Sequence, residues 1–178
     1  MADVLEITAD NFQALVLENE HPVLVDFWAE WCGPCRSLTP VLEAATSERD
    51  VHFAKVDVDA NPQLAAEFGI RGIPAVKAFR NGHVVAEFVG AQSRLTVDAF
   101  LDELTKPPVA ESVDDPELAQ ALAADDYQQA FELLLARIAA DPDRRDETRE
   151  LMVRLFNELG QEHPLATQYR RRLATALY

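Results

Sequence analysis

The sequence predicts two folded parts in series: an α/β domain with a central mixed sheet flanked by helices, then a small all-α domain of helical hairpins. Three observations carry this. Short β-branched and aromatic runs alternate with helical spacing up to Lys106, a double proline follows at Pro107 and Pro108, and every later run has helical periodicity. A length of 178 residues with 48% hydrophobic content suffices for one ordinary domain and a small additional module.

In chain order, VLVDFWA at 23–29 and HFAKVDV at 52–58 read as buried strands, each followed by a stretch with helical spacing. This is a βαβ rhythm, which implies parallel pairing. After Ile73-Pro74, the runs AVKAF and HVVAEFV flank Asn81-Gly82, a pair that supplies the positive φ angles of a tight hairpin turn. An antiparallel hairpin on one edge makes the sheet mixed. An amphipathic helix from Ser93 to Leu104 closes the first domain, predicted over residues 1–106.

Two successive prolines cannot continue a helix, so residues 107–112 are expected to form an extended linker. Residues 113–178 then divide into four helices in two hairpins. Asp114 and Asp115 before Pro116 start the first, Asp141-Pro142 ends the second and Gly160 ends the third. Tyr127, Ala130, Phe131, Leu134 and Ile138 share one helix face, as do Met152, Leu155, Phe156 and Leu159. Such stripes are expected to be core.

The formal net charge is −15, from 31 acidic and 16 basic residues. An acidic chain disfavours nucleic acid and anionic membranes, because phosphate binding needs clustered positive charge. Residues 1–106 carry 17 acids and 8 bases; residues 107–178 carry 14 acids and 8 bases, all eight of them Arg. Arg170 to Arg172 are contiguous, and a solvated or acid-neutralised face is the default reading of such a run, with partner docking as the alternative. No apolar run is long enough to span a membrane, and the acidic start MADVLEITADNF does not resemble a signal peptide. A cytoplasmic location is therefore expected, where a cysteine pair is catalytic, redox-sensing or metal-binding more often than a structural staple.

The two cysteines lie in WCGPCR, residues 31–36. A closed zinc site needs four ligands, and His21, His52, His83 and His163 are not spaced as ligand pairs. A c-type haem attachment needs His directly after the second cysteine, where Arg36 stands. What remains is a dithiol that can close on itself at the start of a helix. There, unpaired backbone N–H groups favour a negative charge on Cys32, Pro34 fits the first turn, and Cys35 is placed deeper, suited to resolving a mixed disulfide. Asp26 interrupts an apolar strand. It is either an inert residue at a strand edge or, as its flanking residues favour, a buried base of raised pKa.

With these residues in view, positions 1–106 resemble the thioredoxin family, through DFWAEWCGPCR at 26–36, Pro40, AKVDVD at 54–59, FGIRGIP at 68–74 and the hairpin ending at Gly90. The resemblance implies a thioredoxin fold and a protein-disulfide reductase without metal or cofactor. It makes Cys32 the nucleophile, Cys35 the resolving thiol, and Asp26 with Lys55 a buried proton-transfer pair. It implies a substrate-binding set of Trp31, Gly33, Pro34, Ile73 and Pro74, with Ile73-Pro74 as a cis peptide beside the dithiol. Gly33-Pro34 between the cysteines is the reducing type in this family, and a thioredoxin reductase is the expected electron donor.

Beyond the linker, LAADDYQQAFELLLARIAADP resembles a tetratricopeptide repeat with Ala124 in place of the usual Gly. The remaining helices, with Ala75-Val76 after the proline, resemble those of the bacterial chaperedoxins, which are thioredoxin-fold co-chaperones. That resemblance implies unfolded or oxidised client proteins and a chaperonin or Hsp70 system as partners. Two hairpins are fewer than a solenoid core needs, so packing on the first domain or on a second copy of the chain is expected. Three functions compete: a reductase with co-chaperone activity, a general disulfide reductase whose tail dimerises or steers substrate choice, and a non-enzymatic holdase. An exposed apolar groove in the tail would favour holding, and stripes consumed in packing would favour the second reading.

Overall fold

The computed structural model describes residues 4–160 and 163–177. The chain falls into two compact units, one up to Lys106 and one from Pro107.

In the first unit a five-stranded sheet has the order β1-β3-β2-β4-β5, formed by Leu5–Ile7, Val23–Trp28, His52–Asp57, Ala75–Arg80 and His83–Val89. The central strand β2 runs parallel to β3 and antiparallel to β4, which gives the mixed sheet expected from the βαβ rhythm and the hairpin. Asn81 and Gly82 take φ of 52° and 78°, as that turn requires. Strand alternation sorts β2 onto two faces. Val23, Val25 and Phe27 enter a core with Ile7, Phe12, Val16, Ala54 and Phe79. Leu24 enters the opposite core with Leu38 and Leu42 of helix α1 (Gly33–Ser47) and Val97 and Leu101 of helix α3 (Arg94–Leu104). Helix α2 spans Pro62–Glu67. Strand β1, only three residues long, is too short for a period-two signal and is not among the expected elements. The same holds for the π-helical turn Gln13–Leu17.

The second unit contains the short helix α4 (Val109–Ser112), then α5 (Pro116–Ala123), α6 (Tyr127–Ala140), α7 (Arg145–Leu159) and α8 (Pro164–Leu177). Four of these answer to the four expected helices. The extended linker over 107–112 is corrected. Pro108 is extended, with φ −50° and ψ 150°, but Val109 onward turns helical. The prolines end where the helix begins, at positions that lack a helical partner for their N–H anyway. Val109 is fully buried, and its N–H donates to the Glu158 carboxylate at 2.9 Å. Asp115 caps α5 by accepting from the N–H groups of Glu117 and Leu118. Ala124 ends that helix, and the left-handed conformation that follows falls to Asp125, φ 55°.

The apolar stripes meet in one core. Ala130, Phe131, Leu134 and Ile138 of α6 pack with Met152, Leu155 and Phe156 of α7 and with Ala166, Tyr169 and Leu173 of α8. The Phe131 ring lies 5.0 Å from that of Phe156 and 4.8 Å from that of Tyr169. The Tyr169 hydroxyl donates to Glu132 at 2.6 Å, and Arg172 forms an ion pair with the same carboxylate. Among the described residues no helix is long and apolar enough to cross a membrane.

Phe131 is the side chain against which both other helices close. Phe131→Ala is expected to destabilise the helical unit by about 3–5 kcal/mol, in line with truncation of a buried aromatic. Urea titration followed by far-UV circular dichroism measures it, and a loss below about 1 kcal/mol would contradict this account of the core.

Candidate active site

The site forms where β2 ends and α1 begins. After Trp28 the chain turns, and the Cys32 N–H donates to the Ala29 carbonyl at 3.1 Å. Cys32 then takes an extended conformation, φ −80° and ψ 101°, and caps α1, whose first turn contains Pro34. The Cys35 N–H, one of the donors left unpaired at a helix start, points at the Cys32 Sγ at 3.2 Å. The two sulfurs are joined in a disulfide, with Cα atoms 5.3 Å apart, so the structure is that of the oxidised form. Cys32 retains 4% exposure and Cys35 none. Ala29, Trp28, Val58 and Ile73 pack around the pair. A negative charge arising on Cys32 would meet the positive end of the helix dipole and at least one aligned N–H.

Asp26 lies on the face of β2 that points towards α1, and it is fully buried. Its Oδ2 accepts from the Thr39 hydroxyl at 3.3 Å, while Oδ1 has no partner. Burial pushes its pKa up from 3.8 to about 6, and the Thr39 hydrogen bond and the charge of Lys55 draw it partly back. The residue is therefore neither exposed nor at a sheet edge.

Lys55 stands opposite Asp26 in the β2–β3 register, yet the expected pair is not in contact. No ion pair within 4 Å joins the two. The lysine stem instead carries its ammonium along the sheet to lie 3.9 Å from the centre of the Trp28 ring, where the indole face attracts it. The coupling between Asp26 and Lys55 is thus a field across a gap. Trp28 also keeps a buried Nε1 with no partner.

The residues of the expected substrate-binding set lie at the same end of the sheet, in different settings. Ile73 packs on the cysteine cluster and precedes the cis peptide to the buried Pro74, whose carbonyl accepts from Gly90 N–H at 2.8 Å. Gly33 has open space where a side chain would stand, and Pro34 is exposed. Trp31 is 67% exposed and sits outside the cysteine cluster, its Nε1 donating to Asp59 at 2.8 Å. Val89, 64% exposed, pairs with Ala75 next to Pro74 and adds a second exposed apolar side chain at this end. Sequence reasoning missed Val89, Asp59 and Thr39. Only Thr39 had a usable signal, its place one turn after Cys35 on the same helix.

Residues 3–103 match the family model described as Thioredoxin, and residues 108–178 match one described as Tetratricopeptide repeat. Thioredoxin of Streptomyces clavuligerus is 48% identical over 96 residues, which cover 53% of this chain and 90% of that protein. Thioredoxin C-2 of Corynebacterium nephridii is 47% identical over 104 residues, 57% of this chain and 96% of that protein. Thioredoxin of Porphyra purpurea is 41% identical over 102 residues, 56% of this chain and 95% of that protein. These relatives stop short of the helical unit. The closed Cys32–Cys35 pair at a helix start and the family match over the first unit agree: the chain belongs to the thioredoxin family, as a thioredoxin-type thiol-disulfide oxidoreductase that continues into a tetratricopeptide-like unit.

Proposed function

We propose that the protein reduces disulfides in other proteins at Cys32, and that its helical unit selects which proteins reach that site. The observation that supports this best is the disulfide at the start of α1, in which Cys32 keeps 4% exposure and Cys35 none, with the buried Asp26 carboxylate linked to the Cys35 backbone through Thr39. In the reduced enzyme the Cys32 thiolate attacks a substrate disulfide, forms a mixed disulfide and releases one substrate thiolate, which takes a proton from solvent. Cys35 then gives its proton to Asp26 and attacks the Cys32 sulfur. The Cys32–Cys35 bond forms, the second substrate thiol leaves, and two electrons have passed to the substrate. A dithiol donor, of the thioredoxin reductase class by family expectation, returns them. The exposed Trp31 and Val89 and the open space at Gly33 suit an extended substrate chain lying against the Ile73-Pro74 loop.

For the helical unit, substrate selection is better supported than holding of unfolded clients. Holding needs a continuous exposed apolar surface. The stripes of α6, α7 and α8 are spent on their own core, and among the described residues of this unit Val153 is the exposed large hydrophobic. Docking to a chaperonin or an Hsp70 system, or pairing with a second copy, would then use polar surface. A cytoplasmic location fits a working dithiol, which must be kept reduced.

Insulin reduction by the full chain, by Cys32→Ser and by a truncation after Lys106 tests the division of labour. Cys32→Ser should abolish turnover, the truncation should keep it on insulin, and Cys35→Ser should accumulate mixed disulfides with captured substrates. The captured set should change when the helical unit is removed; an unchanged set defeats the selection reading. Suppression of client aggregation by the full chain, lost on truncation, would restore the holdase reading.

Asp26 gives a prediction in pH. Only its ionised form accepts the Cys35 proton, so the rate of mixed-disulfide resolution should fall as the pH drops through about 6. In Asp26→Asn that acid limb should vanish and resolution should be slower throughout. Stability follows the opposite sign. A folded pKa raised above 3.8 means the folded state holds the proton more tightly; that contribution is complete below 3.8 and lost as the pH rises through about 6. Oxidised Asp26→Asn should therefore exceed the parent in stability by up to about 3 kcal/mol at pH 8, with the gap closing towards pH 4. Guanidinium titrations at both pH values measure it.

A further inference from the structure

We propose that Thr39 is a positioning residue for proton transfer: its single hydroxyl proton is shared between the Asp26 carboxylate and the Cys35 carbonyl and sets the pH range in which Asp26 can serve Cys35. The inference rests on the reading of Asp26 as the base. Thr39 lies in α1 one turn after Cys35, so its hydroxyl faces the carbonyl of the resolving residue, with an Oγ1–O distance of 3.1 Å. The same oxygen is 3.3 Å from Asp26 Oδ2. A hydroxyl has one proton to donate and lone pairs with which to accept, so it cannot donate fully to both.

This choice tracks the protonation state of Asp26. While the carboxylate is ionised, the Thr39 proton turns to Oδ2 and provides the one hydrogen bond the carboxylate receives in the described structure, Oδ1 having none. Once Asp26 has taken the Cys35 proton, its O–H can donate to Thr39 Oγ1, and the hydroxyl turns to the Cys35 carbonyl instead. The Oδ2–Thr39 hydrogen bond is then kept in both states by rotation about one bond. No side chain has to move and no water has to enter a fully buried position. A hydrogen bond to the ionised form alone is worth more than one to the neutral form, so the hydroxyl holds down a proton affinity that burial drives up. The other charged group facing the carboxylate, Lys55, acts from the Trp28 ring and cannot replace this contact.

The test uses the full chain and an isosteric substitution. Thr39→Val removes the hydroxyl and keeps the volume; Thr39→Ser returns the hydroxyl. In Thr39→Val the acid limb of mixed-disulfide resolution, followed by stopped-flow fluorescence, should move up by about one half to one pH unit, a roughly three- to tenfold loss of rate on the acid side. The Asp26 carboxyl titration in the oxidised protein, read by carbon NMR, should move by the same amount. Thr39→Ser should restore most of both, and attack by Cys32, measured in a Cys35→Ser background, should be unaffected. Thr39→Val added to Asp26→Asn should change nothing further. An unmoved limb and titration in Thr39→Val, or a shift that Ser does not reverse, overturns the proposal while leaving the base role intact if Asp26→Asn still loses the limb. If Asp26→Asn keeps the limb, both fall together.

Discussion

Everything at the site depends on one unfavourable arrangement, a carboxylate buried in the central strand of the sheet. Asp26 has β3 on one side and β4 on the other, with Lys55 and Val76 as its register partners. The alternation that sends Leu24 into the core beneath α1 sends Asp26 the same way two residues later. Water is excluded, so ionisation costs free energy that only nearby dipoles and charges can offset. The sequence supplies few: one hydroxyl, and one ammonium displaced onto an indole ring. The result is a group whose proton affinity sits close to neutrality, and the cores on both faces of the sheet hold it there.

The legible parts of the protein were those whose meaning is local. WCGPC specifies a helix start with two sulfurs one turn apart whatever surrounds it, and an Asp inside VLVDFW is conspicuous against its own neighbours. The Asn-Gly turn and the caps at Asp115 and Gly160 are equally local. Other features depend on distant chain segments. Thr39 acquires a role only because β2, thirteen positions earlier, passes under its turn of α1. Lys55 could be placed opposite Asp26, but its preference for the Trp28 ring depends on a stem crossing to a residue further along the neighbouring strand. β1 has three residues and gains its identity from pairing with β3. The expectation of an extended linker failed at Val109 because the two prolines constrain what precedes a helix as well as what ends one.

The run Arg170 to Arg172 illustrates how contiguous charge in sequence need not be a patch in space. Successive residues on a helix point about 100° apart. Arg172 pairs with Glu132 and lies over the Tyr169 ring, Arg170 lies over the Phe156 ring, and Arg171 is exposed. Two of the three are bound up in bracing α8 against α6 and α7, with long stems covering aromatic surface. The pull of Arg172 and Tyr169 holds Glu132 down to about 2, so the carboxylate of this brace stays ionised well below neutral pH. Acid neutralisation thus holds for Arg172, while Arg170 is engaged by an aromatic ring.

In the proposed mechanism the two cysteines divide the reaction, and one buried acid is then enough. Cys32 must meet a substrate in solvent, and a helix start can stabilise its thiolate without any base; a lower pKa raises the thiolate fraction while lowering its intrinsic reactivity, so the benefit is bounded. Cys35 meets its target within the same helical turn, at an effective concentration no intermolecular thiol can match. In that mechanism Cys35 must give up a proton before it attacks. A base is needed at that step and only there, below the helix and away from substrate. Asp26 lies in the strand beneath α1, and the Thr39 hydroxyl stands within hydrogen-bond distance of both its carboxylate and the Cys35 carbonyl, as the proposed proton transfer requires.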